Sequence, residues 1–420
     1  MQRHLIIQLA RIGDLIQSKR LVLSLHREGE VHIVLDKALE ALGRLVFPYA
    51  VLHVVRAHAG SGLRVPETPG ALLAENAGAF AELAAVDFTS VYNLNQSPLS
   101  LSITSMFDPE RVVGYRLESG QPVSSRWCKM AWRWTRERKT APLNLADFWA
   151  FFHPDPVSPA EVNPAARAKN PAGKGQRLGF VLSGRAARRS LPPEYLARYI
   201  EALFTARKGP EVLLLGGAGE QQTARRVCKF LKPALLQRLE DLSGKTSLAD
   251  LHGIIASLDL LFTPDTGAMH LAAHLGTPVM ACFLSSAWVW ETGPYGLGHE
   301  ILQAALPCVP CLESAPCPHK TACLAPFAAP DKPGVPPHPE MTQLFSSLDD
   351  LGATFRLVSG RPESGLEEER GAKRLLVSEY LKISAGNPDR QGQTPPSGKI
   401  AESVVNKLLV EQDWMLPDYF

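Results

Sequence analysis

Residues 241–283, DLSGKTSLADLHGIIASLDLLFTPDTGAMHLAAHLGTPVMACF, read as turn, helix, strand, tight polar turn, helix, strand. The polar turn Pro264-Asp265-Thr266-Gly267 stands between a buried-strand run, Leu260 to Thr263, and a small-residue helix, Ala268 to Leu275. A helix that opens directly after a strand aims free backbone N–H groups and the positive end of its dipole at the carboxyl edge of the sheet. That edge is a seat for an anion such as a diphosphate. Asp265, beside it, can accept hydrogen bonds from sugar or ribose hydroxyls.

Upstream, short apolar runs alternate with helical patterns. Leu5–Leu9, Val31–Leu35, Val51–Val55 and Ser90–Leu94 read as strands, and Ile16–Glu28 and Ala71–Ala85 as helices. Alternation of this kind implies a parallel sheet with helices on both faces. A polar stretch with Pro154, Pro156, Pro159, Pro164 and Pro171 follows, and the pattern then restarts. Gly179–Leu182 and Glu211–Leu215 read as strands, Pro193–Ala206 and Glu220–Leu231 as helices, and Leu260–Thr263 and Val279–Phe283 as further strands. Ser247-Leu248-Ala249-Asp250 is a capping-box pattern that opens another helix. The expected organisation is an N-terminal doubly wound domain over 1–153, a Pro-rich linker over 154–176, a second doubly wound domain over 177–325 and a partly irregular extension over 326–420. Ile400–Gln412 reads as a last helical piece.

A chain of 420 residues has room for two cored domains and a tail. A formal charge of +2 is too small to argue for nucleic-acid binding. No apolar run approaches the roughly 20 residues that span a bilayer. The run Leu5–Leu9 is too short for a signal h-region and is stopped by Arg11, so a cytosolic protein is expected. Seven cysteines in such a chain do not suggest a disulfide framework.

The stretch quoted first resembles the donor-binding segment of glycosyltransferase family 9, the ADP-heptose:lipopolysaccharide heptosyltransferases. That family shows a G-x-T-x-L helix start followed by D-[ST]-G-x-x-H-x-A-A-x-L-G-T-P. Here these are Gly244-Lys245-Thr246-Ser247-Leu248 and Asp265-Thr266-Gly267-Ala268-Met269-His270, continuing to Pro278. The resemblance implies an α/β protein of GT-B architecture, two Rossmann-like doubly wound domains facing a cleft.

Arg11-Ile12-Gly13-Asp14-Leu15 follows the first strand. Gly13 permits a sharp turn and Asp14 then opens the first helix. Taken alone, Asp14 is as well explained as a helix cap. Family 9 carries an R-x-G-D-[VL] motif here, and the resemblance makes Asp14 the general base of an inverting transfer. The family continues with Thr or Ser and then Pro, where this chain has Ser18 and Lys19. After the strand Gly179–Leu182 comes Ser183-Gly184-Arg185-Ala186-Ala187-Arg188-Arg189, then Leu191-Pro192-Pro193-Glu194. Aligned on the Pro and Glu of the family's K-x-W-P-x-E, Arg189 stands at its phosphate-contacting Lys and Leu191 at its Trp. Arg189 is thereby a candidate to neutralise the leaving diphosphate, though Arg is not a simple equivalent of Lys. By the same resemblance Asp265 contacts the transferred sugar, Thr266 and Gly267 offer hydroxyl and amide to phosphate, and His270 orients that turn or reaches a phosphate. Gly216 and Gly217 resemble the family's G-G-x-x-E nucleotide loop, with Lys245 and Thr246 as neighbours of the nucleoside.

Two further clusters stand out. Cys308, Cys311, Cys317 and Cys323 are candidate thiolate ligands for a structural metal, or plain packing and redox-labile thiols. Arg126 to Lys139 holds six basic residues and three Trp in fourteen positions. Arg126, Trp127, Lys129, Trp132 and Arg133 are candidates to dock an acceptor at a membrane surface, against the plain alternative of buried Trp and solvated Arg on an amphipathic helix. No Asp-x-Asp pair appears, so no cofactor is expected to be required.

The expected function is an inverting, metal-independent glycosyltransferase. It would take a nucleotide sugar, by resemblance ADP-heptose, and an acceptor glycolipid of the lipopolysaccharide-core type. It would be cytoplasmic, peripheral on the inner face of the membrane, with no nucleic-acid partner. The alternatives are a transferase using another nucleotide sugar or a protein acceptor, and a non-catalytic nucleotide-sugar-binding protein of the same fold.

Overall fold

The computed structural model describes residues 1–57, 69–134, 136–168, 175–184, 186–330, 338–360 and 365–383. The expected helix at Ile400–Gln412 lies outside the described residues.

The first lobe is a sheet in the order β3-β2-β1-β4-β5-β6. Its strands are β1 (Gln2–Ile7), β2 (Gly29–Asp36), β3 (Val51–Val55), β4 (Ser90–Asn93), β5 (Val112–Glu118) and β6 (Gln121–Ser124). All pair in parallel except β5 with β6, a hairpin turned by Ser119 and Gly120, both at positive φ. The second lobe is a sheet in the order β14-β13-β12-β11-β10-β7-β8-β9. It comprises β7 (Arg177–Val181), β8 (Glu211–Leu215), β9 (Leu239–Asp241), β10 (Leu260–Pro264), β11 (Val279–Phe283), β12 (Glu300–Ala304), β13 (Met341–Leu348) and β14 (Ala353–Ser359). The strands β7 to β12 run parallel, and β13 and β14 join antiparallel. This is the expected pair of doubly wound α/β lobes.

Both sheets reverse their winding at one place, between β1 and β4 and between β7 and β10. Open parallel sheets bind ligands outside the carboxyl ends of strands at that switch point. Asp14 follows β1, Arg189 follows β7 and Asp265 follows β10. The central strands are continuous apolar runs because helices cover both faces; β10, LLFTP, is buried at all five positions. The helix Pro193–Ala206 opens with Pro where no N–H partner is lost, and buries Leu196, Ala197, Tyr199 and Ile200 at helical spacing. The helix Leu248–Ala256 is capped as expected, with the Asp250 carboxylate accepting from the Ser247 amide at 2.9 Å.

One expected helix divides. In place of Ile16–Glu28 the chain forms Ile12–Gln17 and Lys19–His26. The buried Ser18 at the joint donates its hydroxyl to the Leu15 carbonyl at 2.7 Å, a bond that competes with the helical ladder.

The segment after residue 338 fastens the lobes together. Its strands widen the second sheet, while its helix, Leu366–Ile383, lies against the first lobe. There Arg370 donates to the Lys139 carbonyl, Arg374 to the Pro142 carbonyl, and Tyr380 stacks on Trp127 with ring centroids 6.2 Å apart. Deeper, the fully buried Asp147 accepts from Arg20 at 2.7 Å, the Tyr295 hydroxyl at 2.6 Å and the Ala353 amide at 2.8 Å. Gly352, at φ +144°, is required beside it, because a methyl group there would stand 1.9 Å from the Asp147 carboxyl carbon. Three separate segments thus converge on one carboxylate. Among the described residues no helix is long and apolar enough to cross a membrane.

Candidate active site

The helices Ile12–Gln17 and Gly267–His274 open at the carboxyl edges of β1 and β10, one from each lobe, and their first turns touch. Beside that contact lies a cavity of about 550 Å³. The first lobe contributes Arg11, Gly13, Asp14, Gln17 and Arg138 to its lining. The second lobe contributes Ser183, Gly184, Arg189, Asp265, Thr266, Gly267 and His270, together with Glu291, Thr292 and Glu313.

Asp14 is the third residue of its helix. Its Oδ2 accepts from the Arg11 amide at 3.2 Å, so it does cap its own helix while standing on the cavity wall. The two explanations of this residue are compatible, since one carboxylate oxygen is left over. His270 is packed beside the same turn: a methyl group on Gly13 would stand 2.9 Å from its ring. Burial pulls the His270 imidazole down to about 4, with the Asp14 carboxylate working against that shift and Arg189 adding to it. The ring is therefore neutral at pH 7, a hydrogen-bonding group rather than a cation.

Asp265 is held from three sides. Arg189 Nη2 reaches its Oδ2 at 2.7 Å and its carbonyl at 3.2 Å, the Thr292 hydroxyl donates to Oδ2 at 3.0 Å, and His270 Nε2 lies 3.9 Å from Oδ1. Burial raises the Asp265 carboxyl, and the Arg189 guanidinium opposes that rise. Arg189 also meets Glu313 at 3.2 Å, and among the described residues its buried Nε has no partner. The Thr266 hydroxyl lies 3.0 Å from that of Thr263, which fixes the turn. The Met269 and His270 amides close on the Thr266 carbonyl, which leaves the Gly267 and Ala268 amides at the helix start, where Thr266 and Gly267 line the cavity.

Arg138, Glu291, Thr292 and Glu313 join this site without having been expected there. Arg138 leaves the first lobe and grips Glu291 through Nε at 2.8 Å and Nη2 at 2.6 Å, adding the carbonyls of Ser286 and Cys311. An isolated Arg in a basic run carries no signal of such a reach.

Other expected residues are placed elsewhere. Gly216, Gly217, Lys245 and Thr246 sit outside the cavity lining, along the carboxyl edges of β8 and β9. Glu220 connects that edge to the site, accepting from the Gly217 amide and from the Ser183 hydroxyl, the latter at 2.9 Å. Lys245 is exposed and donates to the Asp241 carbonyl at 2.6 Å. Leu191 is a core residue of the second lobe. Lys19 bonds His274 Nδ1 at 3.0 Å and Asn163 Oδ1 at 3.1 Å, and burial lowers its amine to about 8.

Trp127 corrects an expectation. It is fully buried, stacked on Phe148 at 5.4 Å, and its indole N–H donates to the Phe148 carbonyl at 3.0 Å. It cannot meet an acceptor or a membrane, because the helix Arg126–Trp134 turns that face inward. Arg126 and Lys129 are exposed on the opposite side. The side chains of Trp132 and Arg133 lie outside the described residues. The four candidate cysteines do share one cavity, of about 220 Å³. Yet Cys323 is buried in the second-lobe core while Cys317 is exposed, and among the described residues no three His, Cys, Asp or Glu are grouped to hold a metal ion.

The family model described as glycosyltransferase family 9 (heptosyltransferase) matches residues 79–321, more than half of the chain. Among curated proteins, lipooligosaccharide heptosyltransferase 2 of Haemophilus influenzae is 30% identical over 92 residues, 22% of this chain and 26% of that protein. The protein of the same name from Campylobacter jejuni is 30% identical over 112 residues, 26% of this chain and 34% of its own. The chain thus spans only about a quarter to a third of these relatives. Among solved structures, the glycosyl transferase family 9 protein of Veillonella parvula superposes with a TM-score of 0.54 at 15% identity, covering 72% of this chain and 87% of its own. Its fold is the two-lobed one described above.

Proposed function

This chain belongs to glycosyltransferase family 9, and we propose that it moves a heptose from ADP-heptose to a hydroxyl of a lipopolysaccharide-core or related glycolipid acceptor, with inversion. The observation that carries the reading is the shared cavity. One carboxylate from the first lobe, Asp14, lines the same space as Arg189, Asp265 and the first turn of the Gly267–His274 helix from the second. The names of the family and of its two curated relatives support heptose as the transferred sugar.

In this reading the donor lies along the second lobe, its diphosphate on Arg189 and the helix amides, its sugar against Asp265. The acceptor enters from the first lobe. Asp14 takes the proton of the acceptor hydroxyl as its oxygen bonds the anomeric carbon. The bond from that carbon to the diphosphate oxygen breaks, and the electron pair leaves with ADP. Arg189 and the amides stabilise the charge that grows there. Neutral His270 adds a hydrogen bond without competing for the anion as a second cation. The exposed Arg126 and Lys129 support attachment to an anionic membrane surface.

The test is a thermal-shift series with ADP-, GDP- and UDP-sugars, since a ligand that binds only the folded protein raises its melting temperature. ADP-heptose is expected to raise it most. A rise with UDP-sugars and none with ADP-sugars would reject the assignment.

A further inference from the structure

Part of the cavity wall, Leu312 and Glu313, comes from a loop outside the repeating strand–helix pattern, the Cys-rich segment after β12. Three arginines hold it. Arg138 donates to the Cys311 carbonyl at 3.0 Å. Arg188 donates to the carbonyls of Leu312 and Ala315, each at 2.8 Å. Arg189, the candidate diphosphate ligand, takes only a side chain, the Glu313 carboxylate at 3.2 Å.

These contacts differ in kind. Arg138 and Arg188 bind backbone, so the loop keeps its place whatever residue 313 carries. The Arg189–Glu313 contact, at 3.2 Å, is longer than the 2.7 Å bond from Arg189 to Asp265. Its carboxylate is 31% exposed against 9% for Asp265, so of the two it lies nearer to water. One guanidinium here faces two carboxylates. A diphosphate brought to Arg189 would add further negative charge beside both.

We propose that Glu313 occupies the anion seat on Arg189 when donor is absent, and that the donor diphosphate must displace it to bind. Glu313 is then a residue that sets donor affinity and speeds release of the nucleoside diphosphate product by returning to Arg189. It holds the guanidinium in place between turnovers, at a cost in affinity for every nucleoside diphosphate. The inference rests on the donor site assigned above, but not on which sugar or base the donor carries.

The test is calorimetric titration of the full chain with ADP and, separately, with inorganic pyrophosphate. Glu313→Gln is expected to bind both about tenfold more tightly than the parent, as freeing the Arg189 guanidinium from one competing carboxylate predicts. Glu313→Asp, which keeps the charge, is expected to stay near the parent. In an Arg189→Met background the gain from Glu313→Gln is expected to vanish, because the coupling runs through that guanidinium. Melting curves of each variant confirm that it is folded. Equal or weaker binding by Glu313→Gln would overturn the inference and make Glu313 a supporting or sugar-contacting residue. A gain that persists without Arg189 would also overturn it. If the parent chain binds neither anion, the donor site itself is misassigned and this inference falls with it; parent binding without the gain rejects the inference alone.

Discussion

Gly267 of the second lobe sits so close to the first lobe that a methyl group on it would stand 2.7 Å from Ile12 Cβ and 3.4 Å from the Gly13 amide nitrogen. Two helix starts from different lobes meet there, the Gly267 backbone packed on the Ile12 side chain. The contact sets the distance from Asp14 to the Asp265 turn. Gly267→Ala therefore pushes the lobes apart at the reacting centre. Turnover is expected to fall about 100-fold, the cost of a displacement near 1 Å. The Kd for ADP should change far less, because Arg189 and its loop lie within the second lobe. Steady-state kinetics beside calorimetry checks the split; equal losses in both would place the effect on donor binding.

Asp147 is the carboxylate on which both lobes and the C-terminal segment converge. Replacing it by Ala leaves Arg20, which is 2% exposed, as a buried unpaired cation. The expected loss is about 3–5 kcal/mol of unfolding free energy. Urea denaturation measures it, and a loss below about 1 kcal/mol, the range of surface pairs, would contradict the assignment of this hub.

Trp127→Ala should behave as a core truncation. It is expected to cost about 3–5 kcal/mol of stability. Flotation with anionic vesicles should show no specific loss of binding for protein that remains folded. Substituting the exposed Arg126 and Lys129 by Ser should do the reverse.

Burial holds His299 at about 4, below its ordinary 6.5. A depressed histidine binds protons more readily when unfolded, so its stability contribution is full above about 6.5 and is lost as pH falls towards 4. The raised carboxyls of Asp147 and Asp265 pull the other way. A difference measurement cancels them. Between pH 6.5 and 4.5 the parent should lose more stability than His299→Leu, by at most about 1.4 kcal/mol per pH unit. Urea titrations at several pH values report it, and parallel profiles for the two proteins would reject the shift.

The strands Val51–Val55, Glu211–Leu215 and Val279–Phe283 and the helix Pro193–Ala206 have the bounds expected from sequence. Val51–Val55 is closed by Arg56, Glu211–Leu215 lies between Pro210 and Gly216, and Pro193 opens the helix, so local chemistry sets these ends. The additions β13 and β14 are half-buried strands whose partners are distant in sequence, and nothing local announces them. The same contrast divides the site. Asp14, Arg189, Asp265 and His270 stand out in the sequence as candidates because each follows a strand at a switch point and carries a motif, and the fold brings them to one cavity. Arg138 and Glu291 lie 153 positions apart, and only the folded chain brings them together. Trp127 misled for the converse reason: composition reports a basic, Trp-rich helix, but not which face turns inward.

The central claim is that Asp14 removes the acceptor proton while the second lobe holds the donor. Asp14→Asn keeps the shape and the cap to the Arg11 amide is lost or weakened, at a cost of about 1 kcal/mol. The decisive measurement is single-turnover transfer by this variant beside its calorimetric affinity for ADP. The account predicts a rate lower by about 10²–10⁴-fold with unchanged ADP affinity. Transfer at the parent rate with Asn at position 14 would contradict it.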